Sequence, residues 1–320
     1  MRYLEIGDSR VSVVGLGTWQ FGSREWNYGT DYANDTAKQI LERAIELGVN
    51  FIDTAEMYGF GASERIIGTA LMRSPDEAFL ATKLFPLRYS TSYVRSRCEK
   101  SMARLRCESI DLYQVHFPNP LEKLGTLGAS LADLTTSGMA RYVGVSNFSV
   151  ADWEQLERLS GLNIVSNQVH YSLLTRTPEE EHLPYALAKS KVIIAYSPLE
   201  QGALSGKYHR DNRPGGIRKL NRHFSTDSLE RMQPLVLVLD RIAHSHQASP
   251  AQIALAWVIS HPNVVVIPGA SSVAQLEANV AAAELQLSED EIAELDYASD
   301  LYLRSGGVRL LRSVRTRLGI

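Results

Sequence analysis

Cysteine is nearly absent: the 320 residues hold two, Cys98 and Cys107. Two thiols exclude a disulfide framework and a cysteine-based metal centre. Both fall in what reads as one helix, and thiols this sparse fit a reducing cytoplasm, so a cytoplasmic location is expected. Long apolar runs are missing as well. None approaches the roughly 20 residues that a membrane-spanning helix needs. The N-terminal stretch carries Arg2, Glu5, Asp8 and Arg10 and no apolar h-region, so it does not read as a secretion signal. Charge of one sign is also lacking. With 33 Lys+Arg against 36 Asp+Glu the formal net charge is -3, which gives no pull toward nucleic acid or an anionic membrane surface. One further absence bears on fold. Gly15-Leu16-Gly17 runs into Thr18-Trp19-Gln20, so the third glycine of the G-x-G-x-x-G dinucleotide fingerprint is missing and no helix opens there. A doubly wound open sheet is disfavoured on that ground and by the lack of any composition break between two halves.

What the chain does have is core material. Apolar residues make up 44% and charged residues 22%, enough to bury a large interior and to exclude disorder over most of the length. Short Val- and Ile-rich runs recur at Val11–Leu16, Phe51–Ile52, Phe79–Ala81, Leu112–Val115, Tyr142–Val145, Ile164–Val169, Val192–Ala195 and Val264–Ile267. They lack polar alternation, as parallel strands buried on both faces do. Helix-period segments lie between them. Ala37, Ile40, Leu41 and Ala44 share a face, with Gly48 beyond as a natural C′ residue. Ser149 reads as an N-cap, and Ser288 with Glu291 as a capping box. Successive runs begin about 25 to 40 residues apart, the length of a βα unit.

The expected fold is therefore an α/β (β/α)8 TIM barrel. MRYLEI, ahead of the first barrel run, supplies one arm of an N-terminal hairpin capping the barrel bottom. A long loop follows strand 7, because the step from Val192 to Val264 is about twice a βα unit. Residues 1–300 read as a single barrel domain and 301–320 as an Arg-rich C-terminal tail.

In such a barrel the chemistry sits at the C-terminal ends of the strands. There the sequence places Asp53, with Tyr58 in the following loop, then Lys83, His116, Ser146 and Asn147, Asn167 and Gln168, and Tyr196 and Ser197. Taken singly, Asp53 could cap a helix, Tyr58 could be a packed loop aromatic, and His116 could be a hydrogen-bonded core histidine. Lys83 stands out, because a lysine ending a buried strand is costly unless paired. A carboxylate, a phenol, an ammonium and an imidazole from three consecutive strands converge on one quadrant of one rim. The expected roles follow from charge. Lys83 shifts the phenol of Tyr58 downward so that it serves as a general acid. Asp53 holds Lys83 charged, and His116 donates to a carbonyl oxygen as that oxygen gains negative charge. No nucleophile is evident and no carboxylate pair stands at glycosidase spacing. Such a site protonates an alkoxide and needs a hydride from elsewhere, so a nicotinamide cofactor is implied.

At these residues the sequence resembles the aldo-keto reductase superfamily over essentially residues 1–300. The motifs are GLGTWQFG at 15–22, FIDTAEMYG at 51–59, Thr82-Lys83, the strand ending at His116, GVSNF at 144–148, SNQVHYS at 166–172, AYSPLEQGALSGKY at 195–208 and IPGASSVAQLEANV at 267–280. The run at 195–208 and Gly269-Ala270-Ser271-Ser272 are similar to bacterial general reductases and to potassium-channel β-subunits. The resemblance implies a tetrad of Asp53, Tyr58, Lys83 and His116, with Tyr58 as proton donor. It implies NADP(H) lying extended across the rim, with NAD(H) not excluded. Ser146, Asn147 and Gln168 would hold the carboxamide, and Tyr196 would stack on the nicotinamide. Ser197, Leu199, Gly202 and Lys207 would line the pyrophosphate path. Gly269, Ser271, Gln275 and Asn279 would surround the adenosine phosphate. Thr18 and Trp19 belong to the first-strand loop. Trp19, Tyr58, His116 and Phe117 would face substrate. Histidine at 116 fits carbonyl reduction, since double-bond-reducing relatives carry an acid there. Many relatives carry Lys or Arg just after the proline of strand 8; here Gly269, Ala270 and Ser271 offer none. Phosphate recognition would fall on the helix beginning near Ser272, on hydroxyls, and on loop cations such as Lys207 or Arg218.

The expected function is NADPH-dependent reduction of aldehyde or ketone carbonyls to alcohols, with a small carbonyl compound as the partner and no nucleic acid or membrane. The chain would be a monomer or weak homo-oligomer. The alternative is an NADP(H)-binding redox-sensing subunit with slow turnover. Arg213, Arg218, Lys219 and Arg222 around Pro214-Gly215-Gly216 read either as a solvated loop or as a flap over the pyrophosphate. Trp19, Trp26, Tyr28, Tyr89 and Phe117 suggest an aromatic-walled pocket or packing. His244 and His246 near a helix C-terminus suit the dipole rather than a metal, and no metal is expected. The tail has Arg304, Arg309, Arg312, Arg315 and Arg317, with no acid after Asp300, and roughly helical apolar spacing, which reads as a solvated or partner-facing helix.

Overall fold

The computed structural model describes the backbone of residues 1–22, 31–73 and 77–318, and the side chains of 1–22, 34–72, 77–216 and 218–304. Two strands open the chain, β1 (Tyr3–Ile6) and β2 (Ser9–Ser12), paired antiparallel about Gly7 at φ 62. Eight parallel strands follow: β3 (Leu16–Gly17), β4 (Phe51–Asp53), β5 (Phe79–Leu84), β6 (Ile110–Val115), β7 (Ala140–Ser146), β8 (Ile164–His170), β9 (Val192–Tyr196) and β10 (Val264–Val266). They pair in chain order, and parallel bridges at Val14–Val266 and Gly17–Gly269 join the first strand region to the last. The sheet is thus closed into a barrel, as expected.

The helices are α1 (Asp31–Glu46), α2 (Ala62–Ala70), α3 (Thr91–Leu105), α4 (Leu124–Thr136), α5 (Val150–Ser160), α6 (His182–Ala188), α7 (Thr226–Ser245), α8 (Pro250–Val258), α9 (Val273–Ala281) and α10 (Glu289–Leu318). Eight of them follow the barrel strands in turn. Two, α7 and α10, are extra and pack on each other. The long step after β9 therefore holds more than a loop, since α7 sits within it. Local signals match the sequence. Ser149 Oγ accepts from Asp152 N, Gly48 closes α1 at φ 80, and Ser288 and Glu291 bond reciprocally at the start of α10.

Two expectations need correction. The run Val11–Leu16 is not one barrel strand: its first half completes the hairpin, and the barrel strand proper is Leu16–Gly17. An apolar run reads the same whether a turn in partner divides it or not. Cys107 lies outside the helix that holds Cys98, because Arg106 caps α3 in the left-handed conformation.

Alternation carries the site. On β4 Phe51 points into the barrel while Ile52 packs on the helices. Ala81 on β5, Leu112 on β6 and Ile194 on β9 also point inward, over a floor made by Ile6 and Val11 of the hairpin. With a period of two, the next inward positions toward the strand ends are Asp53, Lys83, Gln114 and Tyr196. The apolar plug below and the polar ring above are thus one pattern.

Candidate active site

Lys83 is fully buried, and its Nζ donates to Asp53 Oδ1 at 2.5 Å, to the Thr54 carbonyl at 2.8 Å and to the Tyr58 hydroxyl at 3.4 Å. The other Asp53 oxygen accepts from Gln168 Nε2 at 2.8 Å and from Gln114 Nε2 at 3.2 Å. The ion pair is therefore satisfied on both sides, the condition for burying two charges. The Tyr58 and His116 rings meet edge-on with centroids 5.8 Å apart. The structure brings Asp53, Tyr58, Lys83 and His116 together at the C-terminal mouth of the barrel.

Electrostatics alter one expectation. Burial lifts the Tyr58 phenol above its ordinary value, and the Lys83 ammonium opposes that rise without cancelling it. The net direction is up, not down, because the phenol ends in a poorly solvated corner and Asp53 adds to the rise. Burial also works against the Lys83 ammonium, but Asp53 and the Tyr58 oxygen outweigh it, so Lys83 is held above the usual lysine value. His116 is pushed down to about 3, first by burial and then by the Lys83 charge. It is a neutral imidazole near pH 7, and its Nδ1 is buried without a hydrogen-bond partner.

The loop that carries Tyr58 is held from below. Glu56 accepts from Phe85 N at 2.5 Å and from Arg97 Nε at 2.6 Å. Arg104 Nε donates to the buried Glu64 at 2.5 Å, and Thr82 Oγ1 donates to the other Glu64 oxygen at 2.7 Å. Gly22 and Gly59 (φ 57) nest so closely that a Cβ on Gly22 would lie 2.7 Å from the Gly59 backbone.

The residues expected at the cofactor fall into three groups on the same face. Ser146 Oγ donates to the Gln168 carbonyl at 2.9 Å. Asn147, left-handed at φ 60, donates to Ser146 Oγ at 3.0 Å and accepts from the Tyr196 hydroxyl at 3.1 Å. Thr18 is buried against the Asp53 carbonyl through both its N and its Oγ1, and Trp19 beyond it is exposed. A second group gathers on Tyr208, which the sequence reading missed. The Lys207 ammonium lies 5.7 Å from its ring, Arg218 Nη1 donates to its hydroxyl at 3.0 Å, and a Cβ on Gly202 would sit 3.4 Å from it. Ser197, Glu200, Gln201 and Gly202 all have positive φ, the concentration of backbone strain that rims of sites show. Leu199 opens the 3-10 turn there, and Arg213 Nε holds the flanking loop to the Phe224 carbonyl at 2.7 Å. The third group lies past β10. Ser272 caps α9, Ser271 bonds Gln275 through N and Oγ at 2.9 Å, and Asn279 Nδ2 donates to the Gly269 carbonyl at 3.2 Å.

The aromatic residues divide. Phe117 is partly exposed and packs edge-on against Phe85. Tyr89 is core: it is fully buried, and its hydroxyl accepts from Asn119 N. Trp26 and Tyr28 lie outside the described residues. His246 pairs with Glu291 at 2.9 Å. Tyr302 is buried, with its hydroxyl 2.6 Å from His223 Nδ1. Residues the sequence reading passed over include Glu56, Glu64, Gln114, His170, Glu200 and His223. A glutamine inside the otherwise apolar run Leu112–Val115 of β6 was the available signal for Gln114. His170 was missed because β8 runs past Val169, where the apolar run stops.

Comparisons with known proteins give the family. Residues 13–300 match the model of the Aldo/keto reductase family. An uncharacterised oxidoreductase of Mycobacterium tuberculosis is 49% identical over 289 residues, 90% of each chain. The methylglyoxal reductase of Escherichia coli is 35% identical over 293 residues, covering 91% of this chain and 92% of its own. Among solved structures, an aldo/keto reductase from Klebsiella pneumoniae in complex with NADP and acetate superposes with a TM-score of 0.76 at 29% identity, covering 93% of this chain and 94% of that one. No described helix is long and apolar enough to cross a membrane. The chain belongs to the aldo/keto reductase family and is an oxidoreductase of that family.

Proposed function

We propose that the chain reduces aldehyde or ketone carbonyls to alcohols with NADPH, and that Tyr58 is the proton donor. The observation that carries this reading is the Lys83 ammonium lodged between Asp53 Oδ1 at 2.5 Å and the Tyr58 hydroxyl at 3.4 Å, beside a neutral His116. The raised Tyr58 value keeps the phenol protonated at neutral pH, so the acid is loaded before substrate arrives. Lys83 acts at the next moment, when the proton has left and the phenolate needs a positive neighbour. Asp53 keeps that neighbour charged, and the two glutamine amides keep Asp53 from turning. The neutral imidazole of His116 donates a hydrogen bond to the carbonyl oxygen without competing to release its own proton.

The residues present fit a nicotinamide dinucleotide. Tyr196 offers a ring on the rim beside Tyr58, with Asn147 fixed at its hydroxyl. Lys207 and Arg218 supply positive charge along the loop. The N-terminus of α9 with Ser271, Ser272 and Gln275 supplies a phosphate cradle that lacks a cation at 269–271. NADP(H) is the cofactor this reading assigns. When bound, it supplies the hydride that goes to the carbonyl carbon.

The test is NADPH consumption with an activated aromatic aldehyde. Wild type should turn over many times per bound cofactor, which separates an enzyme from a slow redox sensor. Tyr58→Phe should lose about 10²–10⁴-fold in kcat with cofactor affinity kept. Equal rates would remove Tyr58 from its role.

A further inference from the structure

Tyr196 is restrained twice. Its hydroxyl donates to Asn147 Oδ1 at 3.1 Å. That bond fixes the end of the ring but not its tilt, because rotation about the Cβ–Cγ axis leaves the hydroxyl in place, and such torsions are soft. The tilt is fixed by the adjacent strand. His170 is the register partner of Tyr196, and the two rings stack with centroids 5.2 Å apart and planes at 16°. His170 Nε2 lies 2.8 Å from Glu200 Oε1, a close polar contact outside hydrogen-bond geometry. That carboxylate is buried and accepts from Ser172 Oγ at 2.6 Å and Thr175 Oγ1 at 3.0 Å, with His223 Nε2 3.8 Å from its other oxygen. Glu200 begins the 3-10 turn Glu200–Ser205, in the left-handed loop that leads to Gly202. One buried carboxylate thus joins that loop to the face of the rim tyrosine.

We propose that His170, held by Glu200, is a positioning residue that sets the plane of Tyr196 and through it the plane of the nicotinamide ring. The proposal rests on the reading of Tyr196 as the ring's platform. A flat imidazole behind the phenol turns a swinging platform into a fixed one, so the ordering cost is met before the cofactor binds. The effect belongs to the nicotinamide half of the cofactor and not to its adenosine half.

Calorimetric titration of the full chain with NADPH and with adenosine 2′,5′-bisphosphate, which has no nicotinamide, separates these halves. His170→Gln keeps a donor for Glu200 and removes the ring. It should weaken NADPH about threefold to tenfold and leave the bisphosphate within about twofold, the range an aromatic pair supplies. The double variant His170→Phe with Glu200→Gln restores a flat ring over a neutral partner and should bind NADPH within about twofold of wild type. Unchanged NADPH affinity in His170→Gln, or an equal loss on both ligands, overturns the proposal. If His170→Gln does not fold, the double variant decides: retained affinity supports the proposal and a tenfold loss overturns it. Tyr196→Ala tells the two levels apart. If it leaves NADPH affinity intact, the platform reading falls and takes this proposal with it. If it weakens NADPH while His170→Gln does not, this proposal falls alone.

Discussion

Two buried carboxylates stand on the same rim and are partnered differently. Asp53 meets a fully buried ammonium and two side-chain amides. Glu200 meets two imidazoles and two hydroxyls. The first set has a cation that stays charged across the ordinary pH range, whereas the second includes His223, which burial holds neutral near pH 7. The difference follows from what each region must do. On the proposed mechanism Asp53 supports a proton transfer that leaves a phenolate behind, which calls for a permanent cation. On the proposed positioning role Glu200 supports the tilt of a ring and the fold of a strained loop, for which hydrogen bonds suffice. The strongest test replaces the cation. Lys83→Met leaves Asp53 buried without its charge partner and should cost about 3–5 kcal/mol, read by denaturant unfolding, together with nearly all activity. Glu200→Gln keeps an acceptor for both hydroxyls and should cost about 1 kcal/mol. Equal losses would erase the distinction between the two sites.

Backbone approach separates the same regions, with a smaller expected effect. Under Tyr58, the glycines at 22 and 59 nest backbone to backbone, and a Cβ on Gly22 would come within 2.7 Å of the Tyr58 carbonyl carbon. Nothing there can yield without moving Tyr58. Gly22→Ala should cost about 1–3 kcal/mol and lower kcat by about tenfold or more, since small misplacements at the reacting atoms are expensive. In the other region a Cβ on Gly202 meets only Tyr208, at 3.4 Å, and the objection is its φ of 97. Gly202→Ala should cost about 1–2 kcal/mol and act on cofactor affinity, not on kcat. If Gly22→Ala leaves kcat intact, the Tyr58 loop is less constrained than its contacts indicate.

Legibility in the sequence differs between the two regions for the same reasons. The tetrad could be read because the barrel rule turns strand ends into one surface, and Asp53, Lys83 and His116 each end a strand. The Glu200 cluster could not. Its members come from β8, from the 3-10 turn at Glu200–Ser205, and from the short turn Arg222–Phe224, and no period links those segments. The barrel and its hairpin were legible from apolar runs, whereas the split of Val11–Leu16 was not, since composition does not show where a pairing partner changes. The direction of the Tyr58 shift was not legible either. It depends on how far burial outweighs one ammonium, and burial is a property of the packed loop held by Glu56, Arg97 and the nested glycines.

The smallest expected effect separates the neighbours of the two carboxylates by pH: the ammonium beside Asp53 titrates on the alkaline side and an imidazole near Glu200 on the acid side. His223 is pushed down to about 4, first by burial and then by the Arg222 charge, with His170 and Arg231 adding to the fall and Glu200 opposing it. In the unfolded chain a histidine takes up its proton near the ordinary value of about 6.5. Below that pH the unfolded chain gains a proton that the folded chain refuses, so stability is full above about 6.5 and falls as the pH drops toward 4. His116, pushed down to about 3, adds a loss of the same sign. Lys83 has the reverse dependence: its value is raised, so its contribution persists below about 10.5 and is lost only on the alkaline side. Unfolding measured at steps from pH 6.5 to 5.5 should show each of the two imidazoles removing about 1 kcal/mol. His223→Asn keeps an acceptor for the Tyr302 hydroxyl and removes the titration, so about half of that acid loss should vanish while the alkaline limb stays in place. An unchanged acid slope in this variant would mean that His223 titrates alike in both states, and that Glu200 gains no acid-side dependence from this neighbour.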